Sequence, residues 1–132
     1  MTHAHTIEIV IDGTTIPVEL NGTKTASELL AALPLRGDGA FWGDEIYFDV
    51  GVELSEENPR ADVEVGDVAY WLPGTALCLF FGRTPASTTD KPCAASPVTV
   101  VGRLVGDPAR LRTLSNLRGI EVRGAPRRAG GP

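Results

Sequence analysis

Four acidic side chains, Asp44, Glu45, Asp49 and Asp67, have the types and spacing best suited to chemistry. Grouped carboxylates exchange protons as general acid and base, or hold a hard cation through their oxygens. Asp44 and Asp67 each follow a glycine at the start of an apolar run, where an aspartate commonly closes a turn on its own backbone. The structural role is therefore the favoured reading. The pair His3-x-His5 lacks a third ligand on a rigid element, so no metal site is expected. Cys78 has no histidine or basic neighbour in sequence to favour its thiolate, and it reads as a small buried hydrophobe. Cys78 and Cys93 are expected as free thiols. There is no Gly-x-Ser-x-Gly elbow, and Gly37-Asp38-Gly39 lacks the spacing of a phosphate loop. No catalytic constellation emerges, and no cofactor is expected.

The aromatic residues are the more informative group. Leu77, Leu79 and Phe81 point to one side of a strand, Cys78 and Phe80 to the other. A half-buried strand alternates apolar with polar; this one is apolar on both faces, so both must be covered. Tryptophan and tyrosine suit places where one side is apolar and the other wet. Trp42, Tyr47, Tyr70 and Phe80 are accordingly the expected ligand-binding residues, on one concave face. The long, proline-rich segment from Arg83 to Pro97 is expected to form one rim.

The elements that must position these residues are short. Thr6 to Ile11 and Thr14 to Leu20 alternate around Asp12-Gly13, a two-residue hairpin signal. Pro17 removes a donor, which predicts an edge or a bulge there. Thr25-Ala26-Ser27-Glu28 reads as a capping box for a short helix that ends at Pro34. Leu35 to Ala40 reads as a glycine-rich loop, and Asp44 to Val52 as a strand with Ile46, Phe48, Val50 and Val52 inward. Val68 to Leu72 and Leu77 to Phe81 flank Leu72-Pro73-Gly74-Thr75, which fits a type II turn. Val98 to Val105 is a strand with a bulge or corner at Gly102. Asp107-Pro108 opens a second short helix, and Gly119 to Arg123 forms the last strand. Hairpin spacing of this kind predicts a mainly β, antiparallel barrel.

The chain has 132 residues, which suits one domain with a core of its own. That domain is expected over residues 6–123, with flexible ends at 1–5 and 124–132. The net charge of −5 hides an asymmetry: residues 1–102 carry fifteen acidic and five basic side chains, whereas residues 103–132 carry seven arginines. An acidic body disfavours nucleic acid as a partner. The scattered arginines read as a solubilising end. No apolar run is long enough for a membrane span, and the first residues do not read as a signal peptide. A cytoplasmic monomer or weak homo-oligomer is expected.

Three segments carry a family resemblance: Trp42 to Phe48, Val63 to Trp71, and Gly74 to Gly82 with Thr84-Pro85; Ser96 to Arg103 extends it. They are similar to the small bacterial and archaeal cyclophilin-like proteins of uncharacterised function, over roughly residues 6–123. The resemblance implies a closed, eight-stranded antiparallel barrel with two short helices, one at each open end. Prolyl-isomerising cyclophilins carry a Phe-His-Arg motif whose arginine polarises the substrate carbonyl. The comparable strand here, Asp44 to Val52, has neither His nor Arg. Where those enzymes have Gln-Phe-Phe, Leu79 precedes Phe80-Phe81.

The resulting expectation is a binding module whose aromatic groove takes a small molecule or an extended peptide. The alternatives are an atypical peptidyl-prolyl isomerase, or a hydrolase or lyase built on Asp44, Glu45 or Asp67. Little or no prolyl isomerase activity is expected, since a missing positioned donor costs roughly 3 kcal/mol or more of transition-state stabilisation. A chymotrypsin-coupled proline peptide assay checks this, and turnover like that of an ordinary cyclophilin would contradict it.

Overall fold

Alternating isoleucines set the first hairpin. Ile7, Ile9, Ile11 and Ile16 are all fully buried, and the turn between the strands places Asp12 and Gly13 at positive φ (52° and 74°). That is the mirror-image turn whose twist matches its flanking strands. The computed structural model describes residues 5–126, so most of the two ends expected to be flexible, His3 included, lies outside the described residues. The elements are β1 (Thr6–Ile11), β2 (Thr14–Leu20), α1 (Lys24–Ala32), β3 (Leu35–Gly37), β4 (Gly39–Phe41), β5 (Glu45–Asp49), β6 (Arg60–Asp62), β7 (Asp67–Trp71), β8 (Ala76–Phe80), β9 (Cys93–Leu104) and β10 (Ile120–Gly124). A 3-10 turn spans Leu72–Gly74 and a short 3-10 helix spans Pro108–Thr113.

The strands form one antiparallel sheet in the order β3-β10-β1-β2-β9-β7-β8-β5-β4, with β6 paired to β9. The expected closed, eight-stranded barrel is therefore corrected: no ladder joins the edge strands β3 and β4, and the sheet stays open. The reason lies in the chain itself. Asp38 alone separates β3 from β4, and a hairpin needs at least a two-residue loop to lay strands side by side. The backbone crosses the seam instead of lacing it. Gly39 N–H donates to the Leu117 carbonyl, and the Asp38 carboxylate accepts from Gly119 N–H. The segment 35–40, expected as loop, supplies these two edge strands.

Two helix and turn readings are also corrected. The N-cap of α1 is Thr23, whose Oγ1 accepts from Ala26 N–H at 3.1 Å. The expected capping box at Thr25 and Glu28 serves another purpose: Thr25 Oγ1 donates to the Ser55 carbonyl, and Glu28 accepts from Ser55 N–H and Oγ. Both side chains thus pin the 50–59 loop to the helix. At 72–75 the chain makes a 3-10 turn, and Thr75 rather than Gly74 takes the left-handed conformation (φ 43°). Thr75 Oγ1 donates to Asp49 Oδ1 at 2.6 Å, which fixes this turn to the end of β5.

Packing divides into two clusters. The larger gathers Ile7, Ile9, Ile46, Phe48, Leu77 and Leu79 with Leu29 of α1 and Leu111 of the 3-10 helix. The smaller lies on the other face of β8 and holds Val63, Ala69, Cys78, Phe80, Ala94 and Val98. The segment expected as irregular up to Pro97 is in part strand: β9 begins at Cys93, and its first half, with β6, covers this second face. Pro17 sits where β2 runs off the β9 ladder, and its carbonyl accepts from Val105 N–H.

The bend in β9 has a local cause. Val68 pairs with Gly102 and Ala69 with Val100, so Val101 is an extra residue, a bulge beside the expected glycine. A Cβ on Gly102 would run into the backbone carbonyl of Glu19 and lie 3.1 Å from Leu20 Cα. Backbone cannot yield as a flexible side chain can. Gly102→Ala is therefore expected to cost about 1–3 kcal/mol of stability, as overpacking does, read as a lower denaturant midpoint in equilibrium unfolding.

Candidate functional site

The β4–β5 hairpin brings Trp42 and Glu45 together. Gly43 takes φ +60°, and Trp42 N–H donates to the Glu45 carbonyl at 2.8 Å, closing the turn. A side chain at Gly43 would meet Thr84, Pro85 and the Arg83 carbonyl, so the turn also packs tightly on the loop that follows β8. Along β5, Glu45 and Tyr47 then share one face. Their cross-strand partners on β8 are Phe80 and Cys78.

This face borders a pocket of about 160 Å³. Its aromatic walls are Trp42, Tyr47 and Trp71. The opposite wall is Ala94, Ala95 and Val98 from β9, and Glu45 and Cys78 complete the lining. Trp71 is held in place: its indole Nε1 donates to Ser96 Oγ at 2.7 Å, and its ring packs against Gly74, where a Cβ would come within 2.6 Å. The lining carries no basic side chain.

Glu45 is the unusual member. The residue is 5% exposed, and Oε1 is buried without a hydrogen-bond partner. Burial raises its pKa to about 7; the neighbouring Cys78 thiol opposes this weakly. Burial also pushes the Cys78 thiol up, with Glu45 adding to the effect, so Cys78 stays a neutral thiol. It is buried and free, and Cys93 is free as well.

The four expected aromatic site residues are divided by the fold. Trp42 and Tyr47 line the pocket. Phe80 lies on the same face of the sheet but is fully buried in the smaller cluster. Tyr70 faces the larger core, where its hydroxyl donates to the Val52 carbonyl at 2.7 Å and accepts from Leu54 N–H. Trp71 is not among the expected ligand-binding residues, and Glu45 is undervalued there. The available signal was parity: Trp71 falls in step with Ala69 on β7, and Ala69 pairs with Cys78. The four carboxylates do not assemble. Asp44 pairs with Arg112 (2.6 Å), Asp67 with Arg103 (3.1 Å) and Asp49 with Thr75, leaving Glu45 alone.

Comparison with known proteins agrees with this architecture. A cyclophilin-like family model matches residues 5–123. The chain belongs to the cyclophilin-like family. Among solved structures, this cyclophilin-like protein is similar to the solution structure of the hypothetical protein AF2241 from Archaeoglobus fulgidus. The two are 40% identical, with a TM-score of 0.74, over 92% of this chain and 95% of that one. No curated protein matches. No helix among the described residues is long and apolar enough to cross a membrane.

The raised pKa of Glu45 makes a stability prediction. A carboxyl whose pKa is higher folded than unfolded opposes folding once it ionises. That penalty is absent below the ordinary value of 4.5, grows as pH rises, and is complete above about 7. Glu45→Gln keeps the shape and removes the charge. It is expected to stabilise the protein at pH 8 by roughly 2–3 kcal/mol and by little at pH 4.5. Urea unfolding of both proteins at the two pH values measures it.

Proposed function

We propose that this cyclophilin-like protein is a binding module for a small molecule, held in the pocket between the β4–β5 hairpin and the first half of β9. The observation that carries the proposal is the lining itself: three aromatic walls, three small apolar residues, and one buried polar group without a partner. Small-molecule sites are concave, mostly apolar, and oriented by a few polar groups. At about 160 Å³ the pocket suits a ligand near benzene in size, since a cavity of about 150 Å³ holds that molecule. An extended peptide needs a longer groove. Trp42 and Tyr47 serve here as ring walls, whereas Phe80 stays in the buried cluster it shares with Cys78, Ala94 and Val98 of the lining.

The chain has only two tryptophans, and both line this pocket. Intrinsic tryptophan fluorescence therefore reports on it directly. A screen of small aromatic and alicyclic compounds is expected to find ligands that shift both indole signals in nitrogen-15 NMR spectra. Ala95 is exposed and lines the pocket, so Ala95→Phe should fill the space without disturbing the core. That variant is expected to lose at least tenfold in affinity for any ligand found while melting within a few degrees of the parent. Ligands that shift signals elsewhere, or bind the variant equally well, would refute the site.

A further inference from the structure

We propose that the ligand is a small organic amine that binds as its ammonium ion, its charge against Glu45 and the faces of the aromatic walls. This deepens the reading of the pocket as a small-molecule site and rests on it. The argument is one of missing countercharge. Glu45 Oε1 is buried with no partner, and a buried carboxylate needs an opposite charge or hydrogen-bond donors. The described residues supply no opposite charge, and as donor only the neighbouring Cys78 thiol, a weak one that leaves Oε1 without a partner. Every ion pair among the described residues uses other carboxylates: Glu8, Asp44, Glu64, Asp67 and Glu121. Asp67 makes the contrast plain. It is 3% exposed, as buried as Glu45, yet it holds Arg103 and accepts from Glu64 N–H. The fold can satisfy a buried carboxylate, and at Glu45 it does so only with what enters the pocket.

The walls favour the same charge. Trp42, Tyr47 and Trp71 border the space in which Glu45 sits, and the negative face of an aromatic ring attracts a cation. The net charge of −5 adds a weak long-range preference for cations over anions. An anionic ligand meets the opposite on every count. A lysine side chain offers the same group on a polypeptide, but the pocket's size fits a compact free molecule better than a tethered chain.

Binding of the ammonium ion would hold Glu45 ionised. Below about pH 7 the carboxyl must then release its proton on binding, so affinity should fall toward tenfold per pH unit. The groups that face Glu45 do not reverse this sign. Cys78 on β8 is kept neutral by burial, Tyr47 is the other titratable member of the lining, and β7 and β9 present only Trp71, Ala94, Ala95 and Val98.

The test compares cyclohexylamine, cyclohexanol and cyclohexanecarboxylate, three probes with one body and different charge, with tryptophan fluorescence and the two indole NMR signals as readouts. At pH 8 the amine is expected to bind at least tenfold tighter than the alcohol, and the carboxylate weakest. The preference should shrink at pH 6 and vanish in Glu45→Gln, while that variant still binds the alcohol. Equal or tighter binding of the alcohol or carboxylate would overturn the amine assignment and leave the pocket standing. Silence of both indoles toward all three probes would overturn the pocket reading as well. Nα-acetyl-lysine methylamide is the polypeptide-borne form of the group; tighter binding of it than of cyclohexylamine would overturn the small-molecule assignment.

Discussion

Strand β8 must be covered twice. Leu77 and Leu79 enter the larger core from one face, while Cys78 and Phe80 bury themselves on the other. Leaving Phe80 and Cys78 in water would forfeit roughly 25 cal/mol for each Å² of apolar surface left exposed. Much of the remaining architecture answers that demand. Strand β9 extends twelve residues and bends at its bulge, so that one half continues the sheet and the other half lies over it. Strand β6 pairs with that overlying half, and Val63 beside it joins the smaller cluster. The pocket lies where this second layer stops short of the β4–β5 hairpin. It is thus the boundary of a packing solution, and that is why its walls are mostly apolar.

Glu45 sits at that boundary in a position the packing alone would give to a hydrophobe. Its register partner is Phe80, and the next pair along, Tyr47 with Cys78, is also largely apolar. An unpartnered carboxyl there opposes folding as it ionises. Asp67 shows the alternative solution within the same sheet: Arg103 neutralises it and the 64–67 turn donates to it. Groups that cost stability and remain unsatisfied concentrate at functional sites, and in this molecule the cost falls at the one buried side-chain atom left without a partner among the described residues.

The charge asymmetry also resolves in three dimensions. Arg103, Arg112 and Arg123 from the basic end reach Asp67, Asp44 and Glu8 of the acidic body. Arg112 also stacks over Phe81 at 5.4 Å, and Phe81 meets Phe41 edge to face. These contacts are half-exposed and individually modest. Their positions matter more than their strength. Arg112 fastens the 3-10 helix to Asp44, the residue just before β5, so three of the arginines read as a solubilising end instead tie the last quarter of the chain to the rest, Arg112 at the strand that bears Glu45.

Most of the strands were legible in the sequence because their signals are local. Alternating isoleucines, Asp12-Gly13 and the two-faced apolar run at 77–81 depend on neighbours a few residues apart, and they act before any long-range contact forms. The same locality made the free, buried Cys78 and the turn role of Asp67 readable, whereas the Asp44 carboxylate, expected to close its own turn, pairs with Arg112. Other features were decided by partners distant in sequence. Glu28 has the spacing of a capping box, yet Ser55 claims its carboxylate. Residues 35–40 look like loop, and they enter strands only because β10 and β5 offer edges to pair with. The open seam follows from one residue, Asp38, between two strands, a constraint visible only once both are known to be strands. Tyr70 and Trp71 are adjacent aromatics with identical local claims to a pocket, and pairing with β8 sends one into the core and the other to the site. The sequence by itself thus determined the strands with local signals, β1, β2, β5, β7, β8, β10 and the second half of β9, and that a second cover was needed. The tertiary structure decided where that cover ends, and therefore which carboxylate lies buried without a partner, because burial and pairing are properties of surfaces assembled from segments far apart in the chain.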